Sequence, residues 1–83
     1  MTRFANNEQD LYTNGNHTLI LLAVNGEYSA FARLLKGPDR AVFEYIGTWA
    51  TVFDHAKHEV HWGQGHYYTD RDSALDYCER KGR

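Results

Sequence analysis

The chain has 83 residues, with 9 Lys and Arg against 11 Asp and Glu, and a formal charge of −2 with its 5 His neutral. Hydrophobic residues make up 42% of it and aromatic residues 14%, which is too rich for a disordered chain and sufficient for one small domain. These totals exclude a multi-domain enzyme, and the single Cys excludes an intramolecular disulfide. A free thiol fits a reducing compartment, so we expect a cytoplasmic location. The longest apolar run, over 19–24, is far shorter than the about 20 residues of a membrane span, so no membrane association is expected.

The first half of the chain predicts an arm followed by a hairpin. Residues 1–16 are polar and rich in Asn, which indicates a loose N-terminal arm before a single α+β domain over 17–83. An apolar run then starts at His17 and stops at Asn25-Gly26, a dipeptide that strongly favours a type I′ hairpin turn. We therefore expect two antiparallel strands, over 17–24 and 27–35.

Two further strands are predicted after a Gly- and Pro-containing turn at 36–40. The third strand, over 41–53, carries apolar side chains on both faces, which is typical of a central strand. Gly47 in its middle marks either a β-bulge or a close backbone approach. The fourth strand begins at 59–62, is interrupted by glycines, and resumes at 66–68.

Residues 70–81 predict a C-terminal helix, with acids in the first turn, bases in the last and Gly82 just beyond. Thr69 is the expected N-cap residue. Strands followed by one helix indicate an α+β fold of the type ββββα. The expected architecture is an antiparallel sheet of about four strands with the helix packed on one face.

Four of the five histidines fall between positions 55 and 66. His55, His58 and His61 are ligand types that suit Zn or Ni, so one hypothesis is a histidine-ligated transition-metal site. Their spacing places His55 and His58 on one face of a helix but on opposite faces of a strand. The competing interpretation is a polar turn whose histidines lie at the surface.

No motif predicts an enzyme. Gly63-Gln-Gly65 lacks the third glycine of a dinucleotide-binding loop, and Cys78 lies on the apolar stripe of the predicted helix, where it resembles a small core residue. Stacking of single-stranded nucleic acid on the aromatic side chains is a third hypothesis. It is disfavoured because the basic residues are scattered among acids and form no groove.

The aromatic side chains favour a protein partner, because Trp and Tyr anchor protein interfaces without any bias of charge. The predicted partner-binding residues are Trp49, Trp62, Gln64, His66, Tyr67 and Tyr68. For the five residues between positions 62 and 68, the competing interpretation is a structural role. Gly63 and Gly65 would let the strand bend, so that Trp62 packs under the sheet while His66 emerges near the helix.

The stretch Trp62-Gly-Gln-Gly-His66-Tyr67-Tyr68, with the acidic turn and helix that follow, resembles small uncharacterised proteins encoded on plasmids and phages of Gram-positive bacteria. The resemblance extends over residues 42–80 and implies no catalytic role. It implies a context instead, that of a mobile-element accessory protein that inhibits host machinery such as a CRISPR effector. The leading hypothesis is therefore a non-enzymatic protein-binding module, and a homodimer formed through an exposed sheet edge is compatible with it.

Overall fold

The structure is a computed structural model that describes residues 3–4, 11–36 and 41–82. The strands are β1 (Arg3–Phe4), β2 (Leu11–Asn14), β3 (His17–Asn25), β4 (Tyr28–Lys36), β5 (Ala41–Trp49), β6 (Val52–Asp54), β7 (Glu59–His61) and β8 (Gln64–Tyr68), and the helix is α1 (Arg71–Lys81). The predicted turn at 37–40 and residues 1–2 and 5–10 of the predicted arm lie outside the described residues. Within those ranges, α1 is the only helix, and it is too short and too polar to cross a membrane.

All the strands belong to one sheet. Seven lie in the order β6-β7-β2-β3-β4-β5-β8, and β1 pairs with the far end of β3. The α+β class, with a C-terminal helix packed on a sheet, is confirmed. The prediction of about four antiparallel strands is wrong, because the sheet has more strands and is mixed. Its parallel pair joins β2 to β7 through Thr13 and Glu59.

A hairpin at Gly15 accounts for one of the additional strands. Asn14 pairs with His17 across Gly15 and Asn16, and Gly15 has a φ of 60°. A positive φ at the first loop position is the pattern of a two-residue type II′ turn, which glycine adopts at little cost. Leu11–Asn14, which the sequence analysis included in the N-terminal arm, is therefore a strand of the sheet.

The predicted hairpin between β3 and β4 is confirmed, but its turn is shifted by one residue. Asn25 pairs with Tyr28, and Gly26, with a φ of 64°, opens the loop. This is again the type II′ pattern rather than type I′. The Asn25 side chain donates instead to the carbonyl oxygens of Cys78 and Glu79, at 3.2 Å each. Asn25 thus ties this hairpin to the end of α1.

The predicted third strand is divided into β5 and β6 at Ala50, which has a φ of 57°. Only Ala50 and Thr51 separate β5 from β6 along the chain, although four strands lie between them in the sheet. The sheet must therefore curl, so that β6 lies over one face of the central strands. Two backbone hydrogen bonds hold the corner, from Gly63 N to Trp49 O at 3.0 Å and from Thr51 N to Glu27 O at 3.2 Å.

The curled sheet has a hydrophobic cluster on each face. The cluster under α1 is built from small side chains and is ringed by tyrosines; its buried members are Leu22, Ala23, Ala30, Ala32, Ala74 and Cys78. The cluster inside the curl is built from larger ones; its buried members are Tyr12, Leu19, Leu21, Phe31, Ile46 and Val60. Alternate residues of β4 enter the two clusters, with Phe31 in one and Ala30 and Ala32 in the other, as the strand period of two requires.

The helix α1 packs closely against the sheet at Gly47. The pairing of β4 with β5 is continuous through Gly47, so no bulge is present there. A Cβ atom at Gly47 would lie 2.8 Å from Cγ of the buried Tyr77 ring on α1. The group that approaches Gly47 closely is therefore a side chain, the Tyr77 ring, and neither a bulge nor a second backbone segment is found there.

The helix begins one residue later than predicted, and Asp70 rather than Thr69 is its N-cap. The Asp70 carboxylate accepts hydrogen bonds from the Ser73 backbone N–H at 2.9 Å and from the Ser73 hydroxyl at 2.8 Å. These two hydrogen bonds lower the pKa of Asp70 from its usual value.

Candidate functional site

The predicted partner-binding residues follow one border of the sheet. Four of the six belong to β8, which lies at the end of the strand order and pairs antiparallel with β5. A fifth, Trp49, pairs directly with Gln64, and the sixth, Trp62, comes just before β8. The strand alternation divides the side chains between the two faces, so they do not form one flat patch.

On the helix side, the border presents Trp49, Gln64 and His66. The Trp49 side chain is 39% exposed, and Gln64 and His66 are exposed as well. The His66 ring lies 4.9 Å from the ring of Tyr77, measured between centroids. Tyr68 is half-buried and packs against the cluster under α1. This side therefore combines an exposed indole, an amide and an imidazole, held in place by the sheet and the helix.

On the opposite face, Tyr67 is 54% exposed. The guanidinium of Arg33 lies over the Tyr67 ring, 5.3 Å from its centroid, and Arg33 also forms an ion pair with Glu44 on β5. The charge of Arg33 is thus matched within the chain. The sequence analysis did not single out Arg33 or Glu44, and only the cross-strand register, which pairs the two residues directly, brings them together.

Trp62 is held inside the curl of the sheet. Its side chain is half-buried and stacks on Phe31, with ring centroids 5.9 Å apart and an interplanar angle of 28°. A Cβ atom at Gly65 would lie 2.9 Å from Nε1 of Trp62, so the missing side chain leaves room for the indole. The structure therefore places Trp62 against the core, as in the structural interpretation of the glycine-flanked segment, and it places His66 beside the helix.

The three histidines considered as metal ligands lie around the turn between β6 and β7. His55 stacks on Phe53 at 5.8 Å, and its Nδ1 is 3.3 Å from the Tyr12 hydroxyl. His58 has a φ of 54° in that turn, and His61 is exposed on β7. Within residues 11–36 and 41–82, the structure does not bring these histidines, or any other three His, Cys, Asp or Glu side chains, into a metal-binding group.

Cys78 has the environment of a core residue. It is fully buried against β3 and β4, and its thiol donates to the Tyr28 carbonyl oxygen at 3.5 Å. Burial raises the pKa of the Cys78 thiol to about 11. The thiolate is the nucleophilic form, so this sulfur is held in its unreactive protonated state at neutral pH.

A cleft of about 360 Å³ lies at the other end of the sheet, between the β2–β3 turn and the end of β4. The described residues that line it are Asn16, His17, Thr18, Leu34 and Leu35. They include one imidazole and one hydroxyl but no carboxylate or thiol. These residues do not supply the nucleophile, base and orienting group of a hydrolytic triad.

No protein-family model, curated protein or solved structure matches this chain. The exposed large apolar side chains among the described residues are Leu11, Val42, Phe43, Trp49, Val52 and Tyr67. Of these, Tyr67 lies on β8 and Trp49 lies beside it at the end of β5.

Proposed function

We propose that this chain is a non-enzymatic protein-binding module whose partner contacts the border formed by β5 and β8. The observation that carries the proposal is the exposure of large aromatic side chains beside an uncharged strand, with Trp49 39% and Tyr67 54% exposed. Partly exposed Trp and Tyr side chains on a rigid support lose little conformational entropy on binding and often dominate interface energies.

The helix side of the border fits this role best. Trp49, Gln64 and His66 offer one large apolar surface with hydrogen-bonding groups next to it, and none of them is needed to fill either core cluster. Because Arg33 is paired with Glu44, the nearby charges favour neither a nucleic acid nor a strongly charged partner.

The resemblance of residues 62–68 to mobile-element proteins suggests which partner to look for. We propose that the module acts as an accessory protein or inhibitor that binds a component of a Gram-positive host, such as a CRISPR effector. The support for this narrower proposal is that resemblance, together with a size that suits a binding protein.

The experiment is capture of a partner from a Gram-positive lysate, followed by reconstitution of the complex from the two purified proteins. We expect Trp49→Ala to weaken binding by about thirtyfold, as for a hot-spot Trp. Leu11→Ala is the matched control, because Leu11 is 40% exposed but belongs to β2, which β3 and β4 separate from β5 in the sheet.

We expect Leu11→Ala to bind as the unchanged protein does. The proposal is contradicted if no stoichiometric partner is captured at high bait concentration. It is also contradicted if Trp49→Ala binds the purified partner with unchanged affinity.

A further inference from the structure

β5 and β6 continue one another along the chain, and so do β7 and β8. Trp49 pairs with Gln64 on one side of the corner, and Val52 pairs with His61 on the other. Val52 comes three residues after Trp49, and His61 comes three residues before Gln64, so the two antiparallel pairs share one register. The four strands therefore form a single two-stranded ribbon that is bent between these two pairs.

The bend places Ala50 in a backbone conformation that its side chain disfavours. Ala50 has a φ of 57°, in the left-handed region, where any L-residue other than glycine meets a steric cost. The sequence around it has apolar residues at alternating and adjacent positions over 41–53, which favours one uninterrupted strand. The local preference of the chain and the bend are therefore in conflict, and contacts made elsewhere must hold the ribbon bent.

Those contacts are made by the hairpin of β6 and β7. Phe53 and Val60 pack in the cluster inside the curl. Glu59 pairs with Thr13 of β2, and the Thr13 N–H donates to the His58 carbonyl oxygen at 2.8 Å. None of these contacts requires the hairpin and β2 to belong to the same molecule. A second copy of the chain carries the same hairpin and the same surface for it.

We propose that two copies of this chain exchange their β6–β7 hairpins. The ribbon of each copy opens at Ala50, and its hairpin packs inside the curl of the other copy and pairs with the β2 strand there. The contacts of Phe53, Val60 and Glu59 are then made between the copies, while both Ala50 residues leave the left-handed region. The connections that open, 50–51 and 62–63, have two residues each, and short connections under strain favour such an exchange.

Opening the corner also has a cost. Thr51 donates to the Glu27 carbonyl oxygen from its backbone N–H at 3.2 Å and from its hydroxyl at 3.3 Å, and both hydrogen bonds are lost. Two molecules also lose their independent motion when they join. The dimer should therefore form at high concentration, with the monomer prevailing on dilution. This inference does not rest on the proposed function, because the exchanged strands are β6 and β7 rather than β8.

The test is sedimentation velocity of the full chain after it has been unfolded in urea and refolded over a wide range of concentrations. We expect a dimer whose fraction rises with concentration. Ala50→Gly removes the steric cost in the monomer and should weaken the dimer by about tenfold or more. Ala50→Val places a β-branched side chain there and should strengthen the dimer by about tenfold or more.

His58→Gly is the matched control. His58 is the other described non-glycine residue with a positive φ, 54°, but it lies in the turn of the hairpin, which keeps its conformation in both forms. The substitution should therefore leave the dimer affinity unchanged. A change as large as that caused by Ala50→Gly would contradict the assignment of the hinge to Ala50.

A pair of introduced thiols shows which chain supplies the hairpin. Thr13→Cys combined with Glu59→Cys places the thiols on directly paired residues of β2 and β7, whereas the native Cys78 is buried. Oxidation of the isolated dimer should link the two chains, and oxidation of the monomer should close a disulfide within one chain. A dimer whose disulfides lie within each chain would overturn the proposal. So would equal dimer affinities of Ala50→Gly and Ala50→Val, or an Ala50→Val chain that stays monomeric at the highest concentration.

Discussion

At the scale of single residues, the contact between Gly47 and Tyr77 determines how closely α1 approaches the sheet. Tyr77 is buried, and its ring also contacts the rings of Tyr28, His66 and Tyr68, at centroid distances of 5.9, 4.9 and 6.4 Å. The ring has no free space to move into, because these neighbours surround it. The hydrophobic pattern indicates that α1 packs on the sheet, whereas the absent side chain at Gly47 determines where Tyr77 rests.

We expect Gly47→Ala to destabilise the fold by about 2–3 kcal/mol, since the added methyl group overlaps the Tyr77 ring and either the helix or the ring must shift. The measurement is equilibrium unfolding in urea. In a Tyr77→Ala background, which removes the ring, the same substitution should cost much less. Equal costs in both backgrounds would show that the overlap is not the cause.

At the scale of elements, Asn25 connects the β3–β4 hairpin to the C-terminal end of α1. Its amide donates to the carbonyl oxygens of Cys78 and Glu79, which belong to the last turn of the helix. The carbonyl oxygen of Cys78 also accepts a hydrogen bond from the Gly82 backbone N–H at 3.2 Å, so the Asn25 amide adds a second donor at this helix end. The end of α1 is therefore stabilised by the sheet as well as by its own residues.

Replacing Asn25 with Ala should lower the free energy of unfolding by about 1–2 kcal/mol, because two hydrogen bonds from its buried amide to the end of α1 are lost. We also expect a local effect: hydrogen exchange of the last turn of α1 should accelerate more than that of the first turn, which Asp70 caps separately. Asp70→Ala is the matched control, with the opposite pattern expected. Uniform acceleration along α1 in both variants would contradict this assignment.

At the scale of the whole molecule, the curl of the sheet forms the second core. Phe53 of β6 reaches across to Tyr12 of β2 and Phe31 of β4, with ring centroids 5.2 and 6.1 Å apart. These contacts join strands from three different parts of the strand order. Without the β6–β7 hairpin, one face of the central strands would be exposed to water, and the cluster around Phe31 would lose its cover.

Phe53→Ala tests directly whether β6 covers the hydrophobic cluster around Phe31. Because Phe53 is half-buried among aromatic rings, we expect the substitution to reduce stability by about 2–3 kcal/mol. The neighbouring Val52 is 63% exposed, so Val52→Ala should change stability by less than about 0.5 kcal/mol. Chemical denaturation of both variants gives the comparison. Similar costs for the two would mean that β6 contributes little to the core.

Features that depend on neighbouring residues can be predicted from local patterns in the chain. The β3–β4 hairpin follows from the glycine at position 26, the alternation of β4 follows from the strand period of two, and α1 follows from its charges and the residues at its ends. The segment 62–68 is also conspicuous in the sequence, because it combines two glycines with three aromatic residues. The hairpin at Gly15 had the same Asn-Gly signal, but the strand before it was too short to be recognised.

Long-range contacts set the position of β6 and β7 and the parallel pairing of β2 with β7. They also set the hydrogen bonds of Asn25 at the helix end and the stacking of Trp62 on Phe31. These features join residues far apart in the chain. No local pattern encodes them, because hydrophobic periodicity indicates which face of a strand is buried but not which element covers it. The open edge of β8 belongs to the same class: the sequence shows an uncharged strand, and the strand order alone places it at the border of the sheet.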